Sequence, residues 1–367
     1  MVVRKPGRTR VLLACSGLGH TMRGFETFTL ECHAALRDHP RLDVVLPRVR
    51  TIRRDSRLAR ALGAGARRDG YFAEQMVYAL AVMPVIARRR PDVVFLSDWA
   101  LAGALGRLRA LTRSRYRLLL CNGAPGPPPY DRTIDHVQQL TPAYYDMALV
   151  AGEPPARHTL LPLGVAIDPE LRLPSGEERA ALRGRLGLPR DGELLLSVAA
   201  LNAWHKRVDY VVREVAELEQ RPHLVLLGQH EDETPAILEL ARALLGPDGF
   251  TARTVAPEAV SDYYRCADAF VLGSLYEASG RVLLESLGHG LPTLCHDSDT
   301  TRYVTGPHGL RADLSRRGAL LALIEASRAA PLPESGRRAQ HRFVHETFGW
   351  EALVPRYVEM IEACATR

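Results

Sequence analysis

Two glutamates, a glycine and a lysine are the residues whose types and spacing could do chemistry. In "SLYEASGRVLLESLGHGLPTLCHD" (274–297), Glu277 and Glu285 stand eight positions apart with Gly280 between them. An apolar run ends just before this stretch, and an amphipathic run begins at Gly280. Glycine at a strand-to-helix turn lets the backbone approach a ligand, and the first N–H groups of a helix suit an anion. Glu285 falls within "VLLESLG", where an ionised carboxylate needs polar partners, and ligand hydroxyls would serve. A loop glutamate and a surface-facing helix glutamate would share this spacing, so both readings stay open. The lysine is Lys206 in "ALNAWHKRVDY" (200–210). Of 48 basic residues 46 are arginine, and the only other lysine, Lys5, lies in a polar N-terminal lead. Lys206 instead follows an apolar strand and opens an amphipathic segment.

The elements that must position these residues alternate along the whole chain. The first half predicts strands at 9–15, 43–46, 92–97, 117–122, 136–141 and 159–163. The second half predicts them at 193–200, 223–228, 250–255, 269–274 and 291–297. Helix-length amphipathic stretches lie between, among them 24–37, 73–89, 207–219, 233–245 and 280–289. Apolar strands alternating with helices imply parallel sheets covered on both faces. Two such series joined by "GVAIDPELRLPSGEE" (164–178) make two tandem Rossmann-like domains. The expected division is 1–165 and 166–349, with a helix at 350–367 packing back on the first domain. Ligands in such folds bind beyond the carboxyl ends of the strands, which directs attention to a cleft between the domains.

Composition narrows the class. At 46% hydrophobic and 25% charged, the chain reads as soluble and globular, and no apolar run promises a membrane span. "VLLACSGLGH" reads as a first strand rather than a signal peptide. Six cysteines without C-x-x-C spacing read as reduced core residues of a cytoplasmic protein. Residues 1–165 carry a net charge of +12 and the remainder −6. Much of the excess lies in 47–68 and 87–91, either as a solvated arginine face or as a surface for an anionic membrane or acidic acceptor. No aromatic-interleaved basic motif points to nucleic acid.

The 274–297 stretch resembles the signature of retaining glycosyltransferase family 4 (glycosyl transferases group 1), enzymes of the GT-B architecture. The matching positions are Glu277, Gly280, Glu285, Gly290, Leu291 and Pro292. "SVAALNAWHKRVDYVVREV", "HLVLLG" and "PLGVAIDPE" resemble further segments of that family. The resemblance implies transfer of a sugar from a nucleoside-diphosphate sugar to a hydroxyl acceptor, with no metal and no other cofactor. It implies Lys206 on the donor diphosphate, where a compact ammonium can follow charge building on the leaving phosphate. Glu277 would hold the transferred sugar and Glu285 the ribose, while backbone N–H groups of Ser279, Gly280 and Arg281 face sugar and diphosphate. Gly17 and Gly19 in "CSGLGHTMRGFET" (15–27) correspond to the family's glycine-rich loop.

The match has gaps. Ala199 and Ala200 stand where the family carries an arginine, and Arg207 or Arg281 is the expected substitute. Asn122 occupies the position of a family histidine in the first domain; it can hydrogen-bond a sugar but cannot transfer a proton. His136 or His20 could supply an imidazole, or serve structure only. Asp98 and Trp99 in "SDWA" end a strand at the acceptor side, where Trp99 could stack on a sugar or simply pack. Two competing functions remain: a catalytically lapsed carbohydrate-binding scaffold, and a dinucleotide oxidoreductase. The latter lacks an ordered Gly-x-Gly-x-x-Gly turn.

Overall fold

The computed structural model describes residues 7–20, 24–49, 51–123 and 128–366. Lys5, residues 21–23 of the glycine-rich loop and residues 124–127 of the proline-rich segment lie outside this set. The chain divides into two compact units, Met1–Ala166 with Trp350–Arg367, and Ile167–Gly349.

The first unit is built on six parallel strands: β1 (Thr9–Ala14), β2 (Leu42–Val45), β3 (Val93–Leu96), β4 (Arg117–Cys121), β5 (His136–Gln139) and β6 (His158–Leu160). Their order is β2-β1-β3-β4-β5-β6. Alternation sends Val11 and Leu13 of β1, Val93 and Phe95 of β3, and Leu119 and Cys121 of β4 into one buried cluster. Leu12 and Ala14, Val94 and Leu96, and Leu118 and Leu120 enter the cluster on the other face. Because both faces are covered, the strands read as unbroken apolar runs. The helix Trp350–Ala365 closes the first cluster with Leu353, Tyr357, Val358 and Ile361, and Trp350 stacks on Phe28 at 5.8 Å between ring centroids.

The second unit repeats the plan with β7 (Leu194–Val198), β8 (His223–Leu227), β9 (Phe250–Arg253), β10 (Ala269–Leu272), β11 (Thr293–His296) and β12 (Leu310–Ala312). The order is β12-β11-β10-β7-β8-β9, again all parallel. β12 is a strand that the sequence pattern does not announce. It is three residues long, sits at the sheet edge, and its register pairs Leu310, Arg311 and Ala312 with β11.

In each sheet the chain winds outward from one central strand, then returns to that strand's other side. The reversals fall between β1 and β3 and between β7 and β10. These are the positions where doubly wound sheets leave a crevice at the carboxyl ends of their strands.

The helix Gly70–Arg89 is long and apolar enough by length and composition to cross a membrane, which the reading of apolar runs missed. Its Ala73, Tyr78, Ala79, Val82 and Ile86 are buried in the first unit's core. The basic segment 47–68 also differs from a free arginine face. Its residues Arg57–Gly65 form a helix capped by the Ser56 hydroxyl, and Arg53 pairs with Asp55 at 2.9 Å. Arg54 turns inward to Glu74. All six cysteines are buried, and none is in a disulfide bond.

Candidate active site

Lys206 follows β7 and Glu277 follows β10, so both stand at the second unit's switch point. The ammonium Nζ donates to Glu277 Oε1 at 2.6 Å, joining residues 71 positions apart in sequence. The Ser274 hydroxyl donates to the same oxygen at 2.6 Å. Lys206 and Glu277 side chains are only 18% and 10% exposed, so solvent screens the pair weakly. Asn202, a buried residue unmarked by the sequence reading, shapes the turn. Its Oδ1 accepts from the backbone N–H of Lys206 at 2.7 Å and of His205 at 3.2 Å, while its Nδ2 donates to Glu231. Asparagine between a strand and a lysine is the signal that could have found it, since this side chain mimics a backbone turn.

Gly280 has the left-handed φ of +57° and caps the helix Arg281–Gly288. A Cβ there would approach Leu283 and Val304 at 3.1 Å, so both conformation and packing select glycine. Ser279 precedes it in the loop. One turn into the helix, Glu285 accepts from Arg281 Nε at 3.0 Å and from the Tyr264 hydroxyl at 3.1 Å. Burial first, and then the Glu285 charge, lifts the Tyr264 phenol well above its usual range, which keeps it a donor. Arg281 is thus committed to Glu285 in this structure.

Arg207, the neighbour of Lys206, is held by backbone carbonyls. Its backbone is left-handed at φ 51°, and its Nη1 donates to the carbonyls of Gly273 at 3.2 Å and Leu314 at 2.8 Å. The guanidinium also lies 4.1 Å from the centroid of the Tyr210 ring. These contacts fasten the turn that carries Lys206.

The first unit has its own cluster at the β1/β3 switch point. Gly17 follows β1 and Asp98 follows β3. A Cβ on Gly17 would meet Glu26 Oε1 at 2.0 Å, so glycine here admits the carboxylate. Gly19 has φ +89° with open space around it. Glu74 is fully buried; it receives Arg54 Nε at 2.9 Å and the Ser16 hydroxyl at 2.9 Å, and His20 Nε2 lies 3.3 Å away. Burial pushes the Glu74 carboxyl up, but the hydrogen bond and charge of Arg54 outweigh it and leave it below its usual range. His20 is therefore engaged with a structural carboxylate.

Asp98 is hydrogen-bonded by the Tyr71 hydroxyl, and Arg54 lies over the Tyr71 ring at 4.3 Å. Burial lifts the Asp98 carboxyl to about 6, the Tyr71 donor opposes this, and Glu26 adds to the rise. Trp99 stacks on Tyr130 at 5.2 Å. Asn122, wholly buried, donates to Gln139 Oε1 at 2.8 Å and sits at the carboxyl end of β4. His136 begins β5 opposite Leu119, the middle residue of β4, and its Nε2 meets Thr159 Oγ1 at 2.8 Å. Among the described residues, no group of three His, Cys, Asp or Glu could hold a metal ion.

Two tandem Rossmann-like units, each with polar residues at its switch point, define the class: the GT-B architecture. Residues 178–313, within the second unit, match the family described as glycosyl transferases group 1. The D-inositol 3-phosphate glycosyltransferase of Xylanimonas cellulosilytica is 30% identical over 203 residues, covering 52% of this chain and 46% of that protein. The chain thus matches about half the length of this curated relative. Among solved structures, sucrose-phosphate synthase from Thermosynechococcus elongatus superposes with a TM-score of 0.76 at 19% identity, covering 97% of this chain and 98% of the other. Anabaena HepE in complex with UDP-glucose gives 0.73 at 14% identity, covering 97% and 99%. At these identities the likeness is one of fold.

Proposed function

We propose that this chain is a retaining glycosyltransferase that moves a sugar from a nucleoside-diphosphate sugar to a hydroxyl acceptor without a resident metal. The observation that carries the reading is the Lys206–Glu277 contact beside the helix start at Gly280. Cation, carboxylate and helix N-terminus meet at the switch point of the unit that matches the family. The named relatives act on, or are complexed with, sugars and nucleotides, which agrees with such a donor.

In the proposed reaction the bond between the anomeric carbon and the diphosphate oxygen breaks, and its electron pair leaves with the diphosphate. Lys206 and the N–H groups of Ser279, Gly280 and Arg281 stabilise that oxygen as charge builds on it. Glu277 holds the sugar hydroxyls, giving up part of its hold on Lys206 as the ammonium turns to phosphate. Glu285, fixed by Tyr264 and Arg281, takes the ribose hydroxyls. The acceptor oxygen bonds to the anomeric carbon on the face the diphosphate leaves. Its proton passes to the departing phosphate oxygen, so no side-chain nucleophile is needed. The first unit takes the acceptor through Asp98, Trp99 and Asn122. Six buried cysteines outside any disulfide fit a reducing, cytoplasmic setting.

Thermal unfolding with UDP, GDP, ADP, CDP, dTDP and NAD tests the reading. A specific ligand at about 100 times its dissociation constant adds roughly 2.7 kcal/mol. Stabilisation by one nucleoside diphosphate, abolished in Lys206→Ala, is expected. A response to NAD alone, or to no nucleotide, would refute it. A lapsed scaffold is favoured by one observation, the absence of a proton-transferring side chain at Asn122. It would bind the nucleotide yet leave every nucleotide sugar unconsumed.

A further inference from the structure

The ion pair at the second unit's switch point has a third member, Ser274, that the proposed reaction does not use. Glu277 Oε1 receives two hydrogen bonds, from the Lys206 ammonium at 2.6 Å and from the Ser274 hydroxyl at 2.6 Å. A carboxylate oxygen offers two lone pairs, so Oε1 is filled. Oε2 accepts from nothing among the described residues and is not sealed from solvent. The carboxylate is thus turned with one oxygen spent inside the protein and the other held open.

The two donors differ in how they are tethered. Ser274 lies three positions before Glu277 in the same loop, is 2% exposed, and carries its hydroxyl on a single carbon. Lys206 reaches across from another loop, 71 positions away in sequence, on a flexible four-carbon stem. The turn beneath it cannot follow the ammonium. Asn202 Oδ1 accepts from the Lys206 backbone N–H at 2.7 Å, and Arg207 Nη1 donates to the Gly273 carbonyl at 3.2 Å. A Cβ on Gly273 would come within 3.0 Å of the Arg207 carbonyl oxygen and 3.2 Å of that of Lys206, so the chain leaving β10 lies directly against the turn. His205 Nε2 donates to the Tyr276 carbonyl at 3.1 Å, a further tie between the two loops. Of the groups that meet at Oε1, only the ammonium is free to leave.

We infer that Ser274 is a positioning residue for Glu277: it stays on Oε1 when Lys206 swings to a nucleoside diphosphate, and so keeps the carboxylate partnered and Oε2 open for the sugar. This rests on the donor-site reading and assigns the residue that lets Lys206 change partners. Without the hydroxyl, departure of the ammonium would strand a carboxylate that is 8% exposed, and a nearly buried charge without a donor is costly.

Calorimetric titration of the full chain with UDP, GDP, ADP, CDP and dTDP tests this, with thermal unfolding of each variant recorded alongside. The nucleoside diphosphate that binds the unaltered protein is expected to bind Ser274→Ala about ten-fold more weakly. Ser274→Cys, close to serine in volume but a weak donor, should show the same loss, which separates the hydrogen bond from packing. Ser274→Thr keeps the hydroxyl and should recover most of the affinity. In a Glu277→Gln background there is no charge to strand, and adding Ser274→Ala should change the affinity less than about two-fold. A serine that only packs would lower the melting temperature without this coupling. Undiminished affinity in Ser274→Ala and Ser274→Cys, or the same ten-fold loss in the Glu277→Gln background, overturns the inference and leaves the role of Lys206 standing. Binding of no nucleoside diphosphate to the unaltered protein strikes the donor-site reading itself, and this inference with it.

Discussion

Replacing Asp98 with asparagine should stabilise the first unit at high pH and do nothing at low pH. The folded carboxyl titrates at about 6, against an ordinary value of 3.8. Between those values the folded state holds a proton that the unfolded state has released. Stability therefore falls as pH rises from about 4 to about 6, and stays reduced above that. A gap of about two pH units at about 1.4 kcal/mol each sets a ceiling of about 3 kcal/mol. The residue keeps some exposure to solvent, which reduces the expected effect to about 1–2 kcal/mol. The amide introduced by Asp98→Asn would retain an oxygen for the Tyr71 hydroxyl while removing the charge that faces Glu26 and Glu74. Thermal melts of both proteins by circular dichroism from pH 4 to 8 should show the variant's first-unit transition rising above the unaltered protein's across that interval. Coincident melts at every pH, or a variant less stable at pH 8, would refute the reasoning that burial dominates at Asp98.

Glu74→Gln should have the opposite pH signature. The folded carboxyl is depressed, so its contribution is present at neutral pH and disappears as pH falls through the acidic range. Loss of the Arg54 pair should cost about 3 kcal/mol near pH 7, read as a lowered melting temperature that converges with the unaltered protein in acid. Gly280→Ala should lower the second unit's melting temperature by the equivalent of about 1–2 kcal/mol, through its left-handed backbone and the contacts at 3.1 Å. The same variant should weaken nucleoside-diphosphate binding in a thermal-shift titration, because the helix start would be displaced.

The parallel, doubly covered sheets are legible in the sequence because burial on both faces makes β1, β3, β4, β7, β8 and β10 continuous apolar runs. β12 is not, because a three-residue edge strand containing Arg311 has neither the length nor the pattern to stand out. The helix Arg57–Gly65 hides in the same way among arginines. Motif spacing brings Glu277, Gly280 and Glu285 together, since all three lie in one turn-and-helix unit. It cannot reveal that Lys206 touches Glu277, or that Tyr71 donates to Asp98. Those contacts depend on which strands lie side by side, and neighbours in a sheet are not neighbours in sequence.

The helix Trp350–Ala365 has a consequence for how the protein is made. It belongs to the first unit, yet it leaves the ribosome only after the whole of the second. Until then Phe28, Phe95 and Leu119 lack the side chains of Tyr357, Val358 and Ile361 that cover them. The second unit, continuous from Ile167 to Gly349, can finish folding during synthesis, while the first waits with an open apolar seam. The first unit is thus the later of the two to mature, and it is the one that should recruit a chaperone on the nascent chain.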